Sequence, residues 1–141
     1  MFKNVLLTVD LNDESSWTKA LPVALDFIKA SDGTLHVMTV VPNFGMSIVG
    51  SFFPKGYEKD ICDKVLVALK EFVKTHISDD IKTQRIVSEG TVYEEILNMA
   101  DKIKADMIVV SSGRDDLKDF LLGPNAARVV RHANCSVTVV R

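Results

Sequence analysis

Three stretches of this sequence hold residues whose types and spacing could do chemistry. The first is Thr8-Val9-Asp10, where an apolar run stops at a carboxylate. A carboxylate that leaves a buried strand enters the space beyond it. There it can accept hydrogen bonds from hydroxyl groups or help hold a metal. Capping the helix that follows is the other role open to it. The second stretch is Val40-Val41-Pro42, a second apolar run ended by proline. The third runs from Val110-Ser111-Ser112-Gly113-Arg114 to Gly123-Pro124-Asn125. Gly113 allows a backbone path that a Cβ would block. Ser111 and Ser112 bring hydroxyl donors, and Arg114 could neutralise an anion. Gly123 stands before a helix whose first turn leaves N–H groups unpaired and carries the positive end of the dipole, which together make an anion site. The alternative is an ordinary connection with Gly123 as a plain helix start.

Other chemistries find less support. No Gly-Lys-Ser/Thr follows the glycines, and no GxGxxG follows the first strand, so neither phosphate-loop fingerprint is present. His36 reads as a packed or edge residue of a strand, and His76 and His132 as helix ends where a cation is favoured. The three form no spaced metal set. Cys62 and Cys135 match no metal or redox spacing and read as reduced small hydrophobes. No Ser/His/Asp or Cys/His arrangement can be assembled for nucleophilic catalysis.

The elements that must position these residues follow from periodicity. Short β-branched runs end at Val9, Val41, Val110 and Val140, and a weaker, more polar one spans Ile81 to Ser88, as at a sheet edge. Between them lie amphipathic patterns. Trp17, Ala20, Leu21, Ala24, Leu25 and Ile28 predict a helix from Glu14 to Ala30, with Pro22 kinking it or shifting its start. Asn12 or Asp13 is its expected cap, and Gly33, free to take positive φ, its expected stop. A helix is predicted over Tyr57 to His76. A third begins at a Thr91/Glu94 capping box, and a short fourth covers Pro124 to His132. The apolar loop from Phe44 to Phe53 reads as a lid, a partner surface or a segment packed over the sheet. Strands alternating with helices imply a parallel sheet covered on both faces, with ligands bound beyond the carboxyl ends of the strands where strand order reverses.

Bulk properties fit that reading. The chain of 141 residues suits one domain over 1–141, and 17 basic against 19 acidic residues give a formal net charge of −2. That charge supplies no general pull toward nucleic acid or an anionic membrane. No signal peptide or membrane-spanning run is read, so a cytoplasmic location is expected.

The opening NVLLTVDLND, the TVVP after the second strand, the Gly113-x9-Gly123 spacing and the ending LLGPNAARVVRHANCSVTVVR resemble the universal stress protein family over the whole chain, and its bacterial F/G-type branch in particular. The resemblance implies a Rossmann-like, doubly wound five-stranded parallel sheet of order 3-2-1-4-5 with four helices, of the adenine-nucleotide α-hydrolase-like kind. It implies a homodimer formed by pairing of the last strands, Val137–Arg141. It also implies a regulatory role in stress response; the sequence supplies no positioned general base, so at most a slow, incidental ATPase is expected. For ligands it implies ATP or AMP, with Mg²⁺ accompanying ATP; Asp115, Asp116 and Asp119 could bind that ion or form a solvated acidic face. A branch of the family that binds no nucleotide implies the alternative, a dimeric interaction module of the same fold.

By the same resemblance Thr8, Val9 and Asp10 form the ribose side, and Val40 and Val41 touch adenine. Ser111, Ser112, Gly113 and Arg114 then approach the phosphates together with Gly123, Pro124 and Asn125. Ser136 and Val137 complete the implied contacts. Two positions depart from the family's Gly-x2-Gly-x9-Gly-Ser/Thr pattern. Val110 stands where its first glycine is expected, although a one-residue gap would put Ser111 there, and Pro124 replaces the hydroxyl residue. Proline is favoured at a first helical position, so the site is expected to have altered phosphate contacts.

Overall fold

The computed structural model describes residues 1–42, 57–112 and 123–141. The predicted loop Phe44–Phe53, together with Gly113, Arg114, Asp115, Asp116 and Asp119, lies outside the described residues. The strands are β1 (Asn4–Thr8), β2 (Thr34–Pro42), β3 (Lys82–Gly90), β4 (Met107–Ser111) and β5 (Ser136–Val140). The helices are α1 (Ala20–Ser31), α2 (Tyr57–His76), α3 (Val92–Lys102) and α4 (Pro124–His132), with a short 3₁₀ turn at Glu14–Ser16. The strands form one sheet of order β3-β2-β1-β4-β5, and every pairing is parallel.

Alternation along the strands divides the core in two. Val5, Leu7, Leu35, Val37 and Val109 pack with Ala24 and Ile28 of α1 and Leu69 and Phe72 of α2. Leu6, Met38, Ile108 and Val110 face the other way, onto Ile96 and Ala100 of α3 and Ala126 and Val129 of α4. Val5, Leu6 and Leu7 are all fully buried, which is why β1 is apolar throughout instead of alternating. The polar strand β3 is the edge, as its composition requires. From β1 the chain winds outward through β2 to β3, then crosses back to β4 on the other side of β1. The order therefore reverses between β1 and β4, where an open parallel sheet leaves a crevice.

Three local expectations are corrected. The first helix starts at Ala20, not Glu14. Pro22 is its third residue, where a missing N–H leaves no helical bond unmade, and Glu14–Ser16 forms the separate 3₁₀ turn capped by the Asp13 side chain. The positive φ at the end of α1 belongs to Asp32 (53°), not Gly33. Glycine is needed at 33 because a Cβ would lie 2.2 Å from the Lys3 carbonyl oxygen. Thr91 holds the N-cap position of α3 in an extended conformation, but its side chain makes no cap bond.

Candidate functional site

A cleft of about 660 Å³ opens beyond the carboxyl ends of β1, β2 and β4. Its floor is the turn after β1. The Asp10 N–H donates to Ser16 Oγ at 2.8 Å, and Asp10 Oδ1 accepts the Asn12 N–H at 3.0 Å. Ser16 Oγ in turn donates to the Asp13 carbonyl at 2.7 Å. Asp13 Oδ1 accepts both the backbone N–H (3.0 Å) and the hydroxyl (2.6 Å) of Ser15. This turn fixes the Asp10 carboxylate through one oxygen and leaves Oδ2 without a hydrogen bond among the described residues. The two roles weighed for Asp10 are thereby separated: the local cap of the 3₁₀ turn is Asp13.

The end of β4 is tied to the same turn, because the Ser111 hydroxyl donates to the Ser15 carbonyl at 3.1 Å. That hydroxyl proton is therefore committed to holding the turn. Ser112 N–H donates to Val140 O at 2.9 Å, and Gly123 N–H donates to Ser112 O at 2.7 Å. The second bond brings the start of α4 against the end of β4. In α4 the Ala127 N–H reaches back to Gly123 O at 2.9 Å, and Gly123 supplies no side-chain cap. The N–H groups of Asn125 and Ala126 are then unpaired among the described residues, and both residues line the cleft. A first helical turn with free N–H groups favours an anion.

The predicted residues divide as follows. Thr8, Val9, Asp10, Val40, Val41, Val110, Ser111 and Asn125 all line the cleft. Ser112, Gly123 and Pro124 lie beside it and carry its backbone framework. Ser136 and Val137 are not brought to it. They open β5 opposite Met107 and Ile108, at the amino-terminal end of β4, whereas the cleft lies at the carboxyl end. Parallel pairing forces this, since the strand's first residues cannot reach the end at which its neighbour finishes.

Sequence reasoning missed the side walls. Ile61, Lys64, Val65 and Ala68 of α2 and Val92 and Ile96 of α3 also line the cleft. The apolar members read as core stripes, and each stripe continues past the end of the sheet. In a parallel crossover a helix begins where the preceding strand ends, so its first turns stand beside the crevice. Lys64, three residues after Ile61, is the available signal: a cation interrupting an apolar face.

His36 and Cys135 lie outside the cleft. The His36 ring is buried between Asn4 (Nε2 to Oδ1, 3.1 Å) and Gln84, bonded to its Nδ1, and burial holds its pKa below the ordinary imidazole value. Burial also raises the Cys135 thiol pKa, aided by Asp101 and Asp106, which disfavours its thiolate. Among the described residues no three His, Cys, Asp or Glu side chains are grouped to hold a metal. No described helix is long and apolar enough to cross a membrane.

The model of the universal stress protein family matches residues 1–141. Universal stress protein G of Escherichia coli O157:H7 is 29% identical, with all of both chains covered. A universal stress protein solved in complex with cAMP is 21% identical, with a TM-score of 0.70 over 99% of this chain and 97% of that one. A family protein from Arabidopsis thaliana solved with AMP bound is 20% identical, with a TM-score of 0.65 over 98% and 90% of the two chains. These two structures share the fold.

Proposed function

The chain belongs to the universal stress protein family, and from that premise we propose that its cleft binds an adenine nucleotide, AMP or ATP, as a regulatory device in stress response. One observation carries the reading. The Asp10 carboxylate, anchored through Oδ1, sits in the same cleft as the N–H groups of Asn125 and Ala126, which are unpaired among the described residues. The first suits a ribose diol and the second a phosphate. Val40 and Val41, at the end of β2, give the cleft an apolar surface for the base. Structural relatives hold AMP and cAMP, which agrees with this choice of ligand.

Little catalysis is expected. The ionisable side chains among the described lining residues are Asp10, Asp13 and Lys64, and the two carboxylates are engaged in turn hydrogen bonds. None is set as a general base for attack on a phosphorus atom. Any Mg²⁺ would arrive with the phosphates of ATP. Two copies would associate through β5, an edge of the sheet, by pairing of Val137–Arg141.

The competing reading is a dimeric interaction module without a nucleotide. Pro124 at the start of α4 favours it by removing an N–H and a hydroxyl, as does the side chain of Val110, which is buried against the α3 and α4 cluster. Calorimetric titration with adenosine, AMP and ATP separates the two. Nucleotide binding predicts saturable uptake of adenosine and tighter uptake of the phosphorylated forms. Equal affinities would remove the phosphate contact at α4, and no uptake of any of them would favour the interaction module.

A further inference from the structure

We propose that Lys64 reads the phosphate charge of the ligand, so that the cleft selects phosphorylated adenine compounds over the bare nucleoside. This rests on the adenine-nucleotide reading of the same cleft. The helix α2 begins at the carboxyl end of the sheet and runs back along it. Its later residues Leu69, Phe72 and Val73 are buried against the strands, while Ile61, Lys64, Val65 and Ala68 form one wall of the cleft. Residues 61, 64, 65 and 68 lie on one helical stripe, and the stripe is apolar except at 64. Position 64 is exposed at the rim of this wall, so its charge stays in contact with solvent and with whatever enters the cleft. A lysine stem can lie along Ile61 and Ala68 while its ammonium reaches into the open space.

The charge is also uncommitted. Lys64 forms no ion pair among the described residues, and it is the one cation among the described residues that line the cleft. The carboxylates on the facing turn each hold a local bond through Oδ1, Asp10 to the Asn12 N–H and Asp13 to the Ser15 N–H and hydroxyl, and neither pairs with Lys64. At the α4 end, Pro124 contributes neither an N–H nor a hydroxyl. Lys64 therefore supplies from the α2 wall a positive charge that the first turn of α4 lacks. Ammonium–phosphate attraction grows with phosphate charge and is screened by salt, and an uncharged nucleoside does not feel it.

The test uses Lys64→Met, which keeps helix propensity and an apolar stem, and Lys64→Glu, which reverses the charge. Affinities for ATP, AMP and adenosine are measured by calorimetry on the full chain at low and high salt. For Lys64→Met, ATP affinity is expected to fall about fivefold or more at low salt, AMP less, and adenosine by less than about twofold. Lys64→Glu should deepen the ATP loss, and the salt dependence of ATP binding should flatten in Lys64→Met. If the wild-type chain binds adenosine but both variants keep its ATP-to-adenosine affinity ratio, the assignment of Lys64 is overturned and the nucleotide reading stands. If the wild-type chain binds none of the three, the nucleotide reading itself fails and the assignment falls with it.

Discussion

Replacing Asp10 by asparagine removes one charge from the cleft floor while preserving the shape of its turn. Asp10 Oδ1 accepts the Asn12 N–H at 3.0 Å, a bond that an asparagine side-chain oxygen can also accept. The Asp10 N–H still meets Ser16 Oγ, so the backbone of the turn is unchanged. What changes is Oδ2, the oxygen with no bond among the described residues, which becomes an amide donor facing a hydroxyl-rich ligand. Hydrogen bonds to a charged acceptor contribute about 1.5–3 kcal/mol, roughly twice those of neutral pairs. Loss of one such bond to a ribose diol should weaken adenosine binding by about 1.5–3 kcal/mol, a factor of roughly 10 to 150. The assay is a double-mutant cycle with the ligand as the second partner. Adenosine and 2′,3′-dideoxyadenosine are titrated into wild type and Asp10→Asn, with thermal unfolding as a check that the turn is intact. The penalty should appear for adenosine and vanish for the dideoxy compound. An equal penalty for both ligands, or none for either, would refute the placement of the diol at Asp10.

Three further outcomes follow from the geometry. Gly33→Ala should destabilise the fold by about 2–4 kcal/mol in chemical denaturation, because the new methyl meets the Lys3 carbonyl, which also accepts the Thr34 N–H at 2.7 Å; an unchanged midpoint would contradict the close approach. Pro124→Ser restores an N–H and a hydroxyl at the first position of α4 and should tighten ATP and AMP while leaving adenosine unchanged, whereas a uniform effect on all three would mean that α4 does not face phosphate. His36 has a folded pKa held below its ordinary 6.5 by burial. Between those two values the unfolded chain binds more protons than the folded one, so its contribution to stability is complete above pH 6.5 and is lost as pH falls through the folded value. Denaturation of His36→Gln should show a flatter stability–pH slope than wild type just below pH 6.5; identical slopes would contradict the buried neutral ring.

The strands were legible because burial on both faces of β1 and β4 leaves an unbroken apolar run and β2 is interrupted only by the buried His36 and Thr39, and α2 because its stripe persists through Phe72 to His76. Where the register of one proline or one contact decided the outcome, the sequence was less informative. Pro22 could have kinked α1 or started it, and only the separate Asp13-capped turn shows that it starts it. Gly33 looks like a residue chosen for its φ, yet what excludes a side chain there is the Lys3 backbone just before β1, which no local pattern reveals. In the cleft, the residues that end strands were visible: Asp10, Val41 and Ser111 mark where apolar runs stop. Residues on helix walls were not, because Ile61 and Val92 look identical to core positions until the length of the helix relative to the sheet is known. Ser111 was visible as a hydroxyl beside the crevice, but its bond to the Ser15 carbonyl, 96 residues away, was not. Ser136 and Val137 were carried by resemblance alone, and strand direction places them at the far end of the sheet.

The central claim is that an adenine nucleotide occupies this cleft, and amide chemical shifts recorded by NMR during titration with AMP test it most directly. Saturable shifts are predicted at Thr8, Val9 and Asp10, at Val40 and Val41, and at Asn125 and Ala126, while Ser136 and Val137 stay in place. Absence of saturable shifts at millimolar AMP, or saturation confined to residues away from the cleft, would contradict the account.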